Sequence, residues 1–150
     1  MKKIISIIIV IVILALAIAV WQSKSARAPE ETPYLGNALE KSDLIILSTP
    51  RPNDVIKSPL IIKGQARGNW FFEASFPVTL LDSEGNVLVE YYATAQDEWM
   101  TPEFVPFETV LVFENPESAQ SGTLILKKDN ASGLPEHDDS LIVPIRFEAQ

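Results

Sequence analysis

An arginine, three large aromatic rings and a carboxylate fall within seven positions at Arg67-Gly68-Asn69-Trp70-Phe71-Phe72-Glu73. Flat rings stack on sugars and peptides, and a guanidinium adds forked hydrogen bonds. Arg67, Asn69, Trp70 and Glu73 therefore make one half of a candidate binding surface. Trp99 and Met100, within Glu98-Trp99-Met100-Thr101, supply the other half. As an extended strand, the first stretch sets Trp70 and Phe72 on one face and Phe71 and Glu73 on the other. The plainer reading puts one aromatic pair in the core and pairs Arg67 with a carboxylate such as Glu73.

A second cluster lies in the run 129–139, where Asp129, Asn130, Glu136, Asp138 and Asp139 offer oxygen ligands. Calcium takes six to eight such oxygens, so this is a candidate calcium loop and calcium the candidate cofactor. Asp, Asn, Ser, Gly and Pro also build ordinary turns through local side-chain bonds, and turn chemistry is the default reading. Catalysis finds little to work with. His137 is the sole histidine and cysteine is absent, which leaves a hydrolytic zinc site short of ligands. No Gly-x-Ser-x-Gly elbow or phosphate-cradling glycine loop is present. A carboxylate pair, Glu73 with Glu98, is the one catalytic arrangement left to test.

Charge is unevenly placed. The net is −8, yet Lys2 and Lys3 precede a charge-free apolar run, Ile4 to Trp21. Without those two, 10 of the 12 basic residues face 20 acidic ones. An acidic domain repels nucleic acid and anionic lipid headgroups, so neither is an expected partner. At ~1.5 Å per residue the run spans roughly 27 Å as a helix, close to a hydrocarbon core. Residues 4–21 are read as a single-pass membrane anchor, with 1–3 as a cytoplasmic stub. A cleaved signal peptide is the alternative; the run is longer than such segments usually are, and Pro29 directly follows the small-x-small triplet Ala26-Arg27-Ala28. Without cysteine, an exported domain must be held by its core alone.

Residues 22–43 are polar and broken by Pro29, Pro33 and Gly36, and read as a linker. Flexible-chain scaling of ~5–6 Å × √n keeps whatever follows within a few nanometres of the bilayer. From residue 44 to 147, short apolar runs alternate with turn residues. Strands are expected at Leu44–Leu47, Leu60–Lys63, Trp70–Phe76, Val78–Leu81, Val87–Thr94, Phe107–Phe113, Thr123–Lys127 and Leu141–Phe147. Asp82-Ser83-Glu84-Gly85-Asn86 is a hairpin connection with Gly85 free to take positive φ. Phe107, Thr109, Leu111 and Phe113 share one face; so do Val143, Ile145 and Phe147. Pro144 cannot donate to a ladder, which places the last strand at an edge or on a bulge. With no amphipathic helix between them, about seven short strands predict an all-β, two-sheet sandwich, and residues 148–150 form a tail.

Specific residues then resemble a known family. The stretches are Ser48-Thr49-Pro50-Arg51-Pro52, Ser58-Pro59-Leu60, Gly64-Gln65-Ala66-Arg67-Gly68-Asn69-Trp70-Phe71-Phe72-Glu73-Ala74-Ser75-Phe76-Pro77, Glu98-Trp99-Met100-Thr101, Phe104-Val105-Pro106-Phe107 and Lys128-Asp129-Asn130-Ala131-Ser132-Gly133-Leu134-Pro135-Glu136, spread over roughly 44–147. They are similar, in the same order, to the immunoglobulin-like domain of bacterial spore-germination proteins. The resemblance implies an immunoglobulin-like sandwich in an exported, often membrane-tethered protein without known catalysis, linked to germination or other cell-envelope processes.

Together these features predict a non-enzymatic binding or scaffolding module on the outer face of the cell membrane, with its C-terminal domain extracytoplasmic. Its partner is an envelope protein or polymer, met near Arg67, Trp70 and Trp99. A cell-envelope hydrolase using the carboxylate pair, and a structural spacer without a ligand, are the competing classes.

Overall fold

The computed structural model describes residues 36–116 and 120–149. The stub, the apolar run 4–21 and residues 22–35 of the expected linker lie outside the described residues. Among the described residues no helix is long and apolar enough to cross a membrane.

Eight strands form one sheet, where the spacing predicts about seven. They are β1 (Ile45–Thr49), β2 (Val55–Ile56), β3 (Leu60–Arg67), β4 (Ser75–Asp82), β5 (Val87–Ala95), β6 (Phe104–Leu111), β7 (Ser121–Lys127) and β8 (Ser140–Phe147). Their order is β1-β3-β6-β5-β4-β7-β8-β2, antiparallel throughout except for β2 alongside β8. The sheet curls on itself. Phe76 on β4 meets Phe107 on β6 edge to face, 4.9 Å between ring centroids, although β5 separates those strands in the sheet. One core fills the curl, with Ile62, Phe76, Val78, Leu80, Leu124 and Leu141 sealed from solvent.

Period-two alternation explains most of this. Phe107, Thr109, Leu111 and Phe113 are all buried, as are Val143, Ile145 and Phe147. The β4–β5 hairpin turns at the predicted residues: the Asp82 carboxylate accepts the Glu84 and Asn86 backbone N–H groups at 2.8 and 2.9 Å, and Gly85 takes φ 86°. β2 escapes sequence reading because two residues carry no period. Its register puts Val55 and Ile56 beside Arg146 and Phe147.

One expected strand does not form. Trp70–Phe76 begins in a 3-10 turn at Gly68–Trp70 and continues into a tight turn at Phe72–Ser75. There, Phe72 and Ser75 exchange both backbone hydrogen bonds at 3.0 Å, while Glu73 and Ala74 take φ 48° and 62°. Positive φ at both central positions is what a primed hairpin turn needs, and Asn-Gly is the pair that fills it best. Left-handed backbone costs a residue with a Cβ ~1–2 kcal/mol. Ala74→Gly is accordingly expected to raise stability by about 1 kcal/mol in chemical denaturation.

Residues 36–43, counted with the linker from composition, are bonded to the domain. The Asn37 side chain donates to the Ser140 carbonyl at 2.9 Å and accepts the Ile142 N–H at 2.7 Å, while its own N–H reaches the Ile142 carbonyl at 3.2 Å. Lys41 pairs with Asp139 at 2.6 Å. The open side of β8 is thereby closed: Asn37 covers 140–142, the Asn53 N–H meets the Pro144 carbonyl, and β2 covers the rest. The expectation that Pro144 sets this strand at an edge or on a bulge is not met: β8 lies between β7 and β2 and pairs with β7 without a register shift, and the proline is accommodated because β2 reaches only Arg146 and Phe147.

Candidate functional site

The stretch predicted to bind a ligand instead ties the fold together. Arg67, at the end of β3, lays its guanidinium over the Phe104 ring at 4.1 Å. It donates to the Asp43 carbonyl at 3.1 Å and the Pro102 carbonyl at 3.2 Å, and its charged partner is Glu103 at 3.6 Å rather than Glu73. The next residue, Gly68, packs directly against the carbonyl oxygens of Thr101 and Trp99. Trp70 is 1% exposed and Phe71 3% exposed, so both consecutive rings point inward, an arrangement that only a break in extended backbone permits. A buried indole has no free face for a ligand, which removes Trp70 from the candidate surface. Its carbonyl accepts the Asp129 N–H at 3.0 Å, while its Nε1 finds no acceptor.

The remaining members of that surface are scattered in environment. Asn69 and Glu73 are exposed, Met100 is 74% exposed, and Trp99 is half-buried against the core. Glu98, the other half of the carboxylate pair, accepts the Met100 N–H at 3.2 Å within its own loop. Alanine at Trp99 is expected to cost about 1–3 kcal/mol, a melting-temperature loss of several °C, because its ring contributes to packing. An unchanged melting temperature would return Trp99 to the list of ligand platforms.

The oxygen-rich loop is knit by local bonds. Asn130 donates to the Leu134 carbonyl and the Asp138 carboxylate at 2.8 and 3.0 Å, and its own amide oxygen accepts from Ser132. Asp139 is held by Lys41 and by the Ser140 N–H. Among the described residues no three acidic or histidine side chains converge to hold a metal ion. Asn130, Asp138 and Asp139 thus have their side chains engaged in local bonds around a short 3-10 segment, Pro135–His137, which carries Glu136, while Asp129 is tied by its backbone N–H to Trp70.

A different place is open. β5 runs alongside β4 for its whole length but meets β6 only where Thr94 and Ala95 face Glu108 and Phe107. Past that junction the two strands splay, leaving a cleft of ≈ 610 Å³ between Val89–Tyr92 and Thr109–Val112. Tyr91 and Tyr92 are 59% and 54% exposed, Val110 44% and Val112 73%. A volume of this size, with apolar and aromatic walls, falls within the range of small binding sites. Glu108 stands on its rim, paired with Lys63 at 3.1 Å, and Glu90 is exposed on the adjoining strand.

The sequence carries a signal for the exposed apolar surface of this cleft, though not for the splay of its strands. Tyr91-Tyr92 sets two rings side by side in a strand, so one must leave the core-facing row. Val110 and Val112 occupy outward positions of the 107–113 alternation, where polar residues are usual.

A family model described as an immunoglobulin-like domain of bacterial spore germination matches residues 44–133, from the start of β1 through β7. No curated protein matches the chain.

Proposed function

The chain belongs to the immunoglobulin-like domain family of bacterial spore germination, and on that premise we propose a membrane-tethered, extracytoplasmic module that binds an envelope protein and carries out no catalysis. The observation that carries this reading is the cleft between β5 and β6, where Tyr91, Tyr92, Val110 and Val112 lie exposed. Exposed rings and apolar side chains gathered in one concavity are retained where a partner covers them. The binding surface therefore shifts from the Arg67–Trp99 region, where the rings serve packing, to the splayed strands.

The curled sheet is read as the family's two-layer sandwich. β1, β3 and β6 form one layer; β5, β4, β7, β8 and β2 form the other, joined by the short β5–β6 contact. The reading of a tether is supported by the charge-free run 4–21 behind Lys2 and Lys3, and the position of those lysines favours an acidic domain outside the cytoplasm. Absence of catalysis rests on the single histidine and the lack of cysteine.

Crosslinking in intact cells, followed by purification of the full chain, tests the reading. A protein partner should be recovered with the natural chain and lost with Tyr92→Lys combined with Val112→Lys, both outward-facing and replaceable without disturbing the core. Equal recovery by both chains would contradict it.

A further inference from the structure

The backbone of the cleft says what kind of partner fits. The Ala95 N–H points to β4, where it meets the Ala74 carbonyl, and the Gln96 N–H points to β6, where it meets the Pro106 carbonyl. N–H and C=O of one residue point to the same side of a strand and alternate along it. Tyr92 and Glu90 on β5 therefore aim their backbone groups at the cleft. By the same alternation Val110 and Val112 aim theirs from β6, since Phe113 turns its N–H the other way, to the Ser58 hydroxyl at 3.1 Å. Continuing the Thr94–Glu108 register would pair Tyr92 with Val110, yet among the described residues no strand pairs with either on this side.

Two rows of backbone donors and acceptors thus face one another across the cleft, with no strand between them among the described residues. Along β8 the fold closes such a row with Asn37, Asn53 and β2. Lysine, proline or a covering loop normally guards an exposed edge. This one carries Tyr92, Val110 and Val112, with Glu90 its one charged residue.

Side-chain parity adds a second requirement. Val89, Tyr91, Thr109 and Leu111 share the inward parity of buried Ala93 and Phe107, whereas Glu90 and Glu108 share the outward parity of Tyr92 and Val110. A strand lying in the cleft would meet an apolar floor on one face and, beside the other, the exposed Glu90 carboxylate, while Glu108 at the junction is already paired with Lys63. Resting on the partner-binding reading above, we propose that the cleft takes up an extended polypeptide segment as an added strand, with apolar side chains alternating with cationic ones. Backbone pairing would supply affinity, and the alternate positions would supply selectivity. The acidic excess of the chain favours the same sign of partner.

The test uses the full chain in detergent micelles and a capped peptide of about ten residues alternating valine and lysine, the length of a long strand. Backbone amide exchange at Tyr92 and Val110 should slow on peptide addition. N-methylating the peptide on alternate residues should weaken binding by about tenfold or more, because the lost bonds are backbone bonds. Val110→Pro should weaken binding likewise while sparing the β3–β6 ladder, since that N–H faces the cleft; Tyr92→Lys tests the charge requirement without touching the backbone. Equal binding of the N-methylated peptide, or of a valine–glutamate counterpart, would overturn strand addition. Failure of every peptide, with cell capture still lost in the Tyr92→Lys, Val112→Lys chain, would overturn this inference and leave the binding module standing. Failure of both would remove both.

Discussion

Trp70→Ala is expected to lower stability by about 3–5 kcal/mol, the cost of emptying a large buried aromatic site, and to drop the melting temperature by roughly 15–25 °C. The indole is 1% exposed beside Phe71, which itself meets Phe76 edge to face at 5.2 Å. Its loss opens a cavity in the core beside the 3-10 turn and loosens the turn whose carbonyl holds the Asp129 N–H. Trp70→Phe should cost distinctly less than Trp70→Ala. It keeps most of the ring and deletes an N–H that has no acceptor, a burden of about 1–3 kcal/mol in the natural chain. Thermal denaturation of the three chains side by side checks the order. A Trp70→Ala chain that melts with the natural one would place the ring outside the core.

Gly68→Ala should be comparably damaging, for a different reason. A Cβ at Gly68 would overlap the carbonyl oxygens of Thr101 and Trp99, which are backbone atoms and cannot rotate aside. The 96–103 loop would have to lift, taking with it the Gly68 N–H bond to the Glu103 carbonyl at 3.2 Å and the Arg67 bond to Pro102. Overpacking of this kind costs about 1–3 kcal/mol, and breaking the Arg67 contacts adds to it, for a total of roughly 3 kcal/mol or more. Faster amide exchange across residues 98–103 is the accompanying signature. A chain with unchanged exchange there would show that the loop does not depend on this contact.

These two residues also show what a sequence can carry. Alternation in Phe107–Phe113 and in Val143–Phe147 predicts which faces are buried, because side-chain direction in a strand follows position alone. The hairpin at Asp82–Asn86 is equally legible, its chemistry being local. The Gly-x-Ala-Arg-Gly-x-Trp stretch is different. Its residues are unusual for a structural reason, close approach of two backbones at Gly68 and capping of distant carbonyls by Arg67, and tertiary contacts of that sort leave no periodic trace. Read as a strand, the same letters suggested an exposed aromatic platform. Asn37 escaped for a similar cause, since a polar residue in a polar segment signals nothing until Ser140 and Ile142 are beside it. The cleft was half legible. Two outward valines and a tyrosine pair mark exposed apolar surface, but the divergence of β5 from β6 is a property of the assembled sheet.

The central claim is that the splayed β5–β6 edges, and not the Arg67–Trp99 region, meet the partner. A photocrosslinking side chain placed singly at Tyr92 and at Met100 of the full chain, in intact cells, tests it most directly, since both positions are exposed. A protein adduct from position 92 with none from position 100 is the predicted result. An adduct from position 100 alone would contradict it.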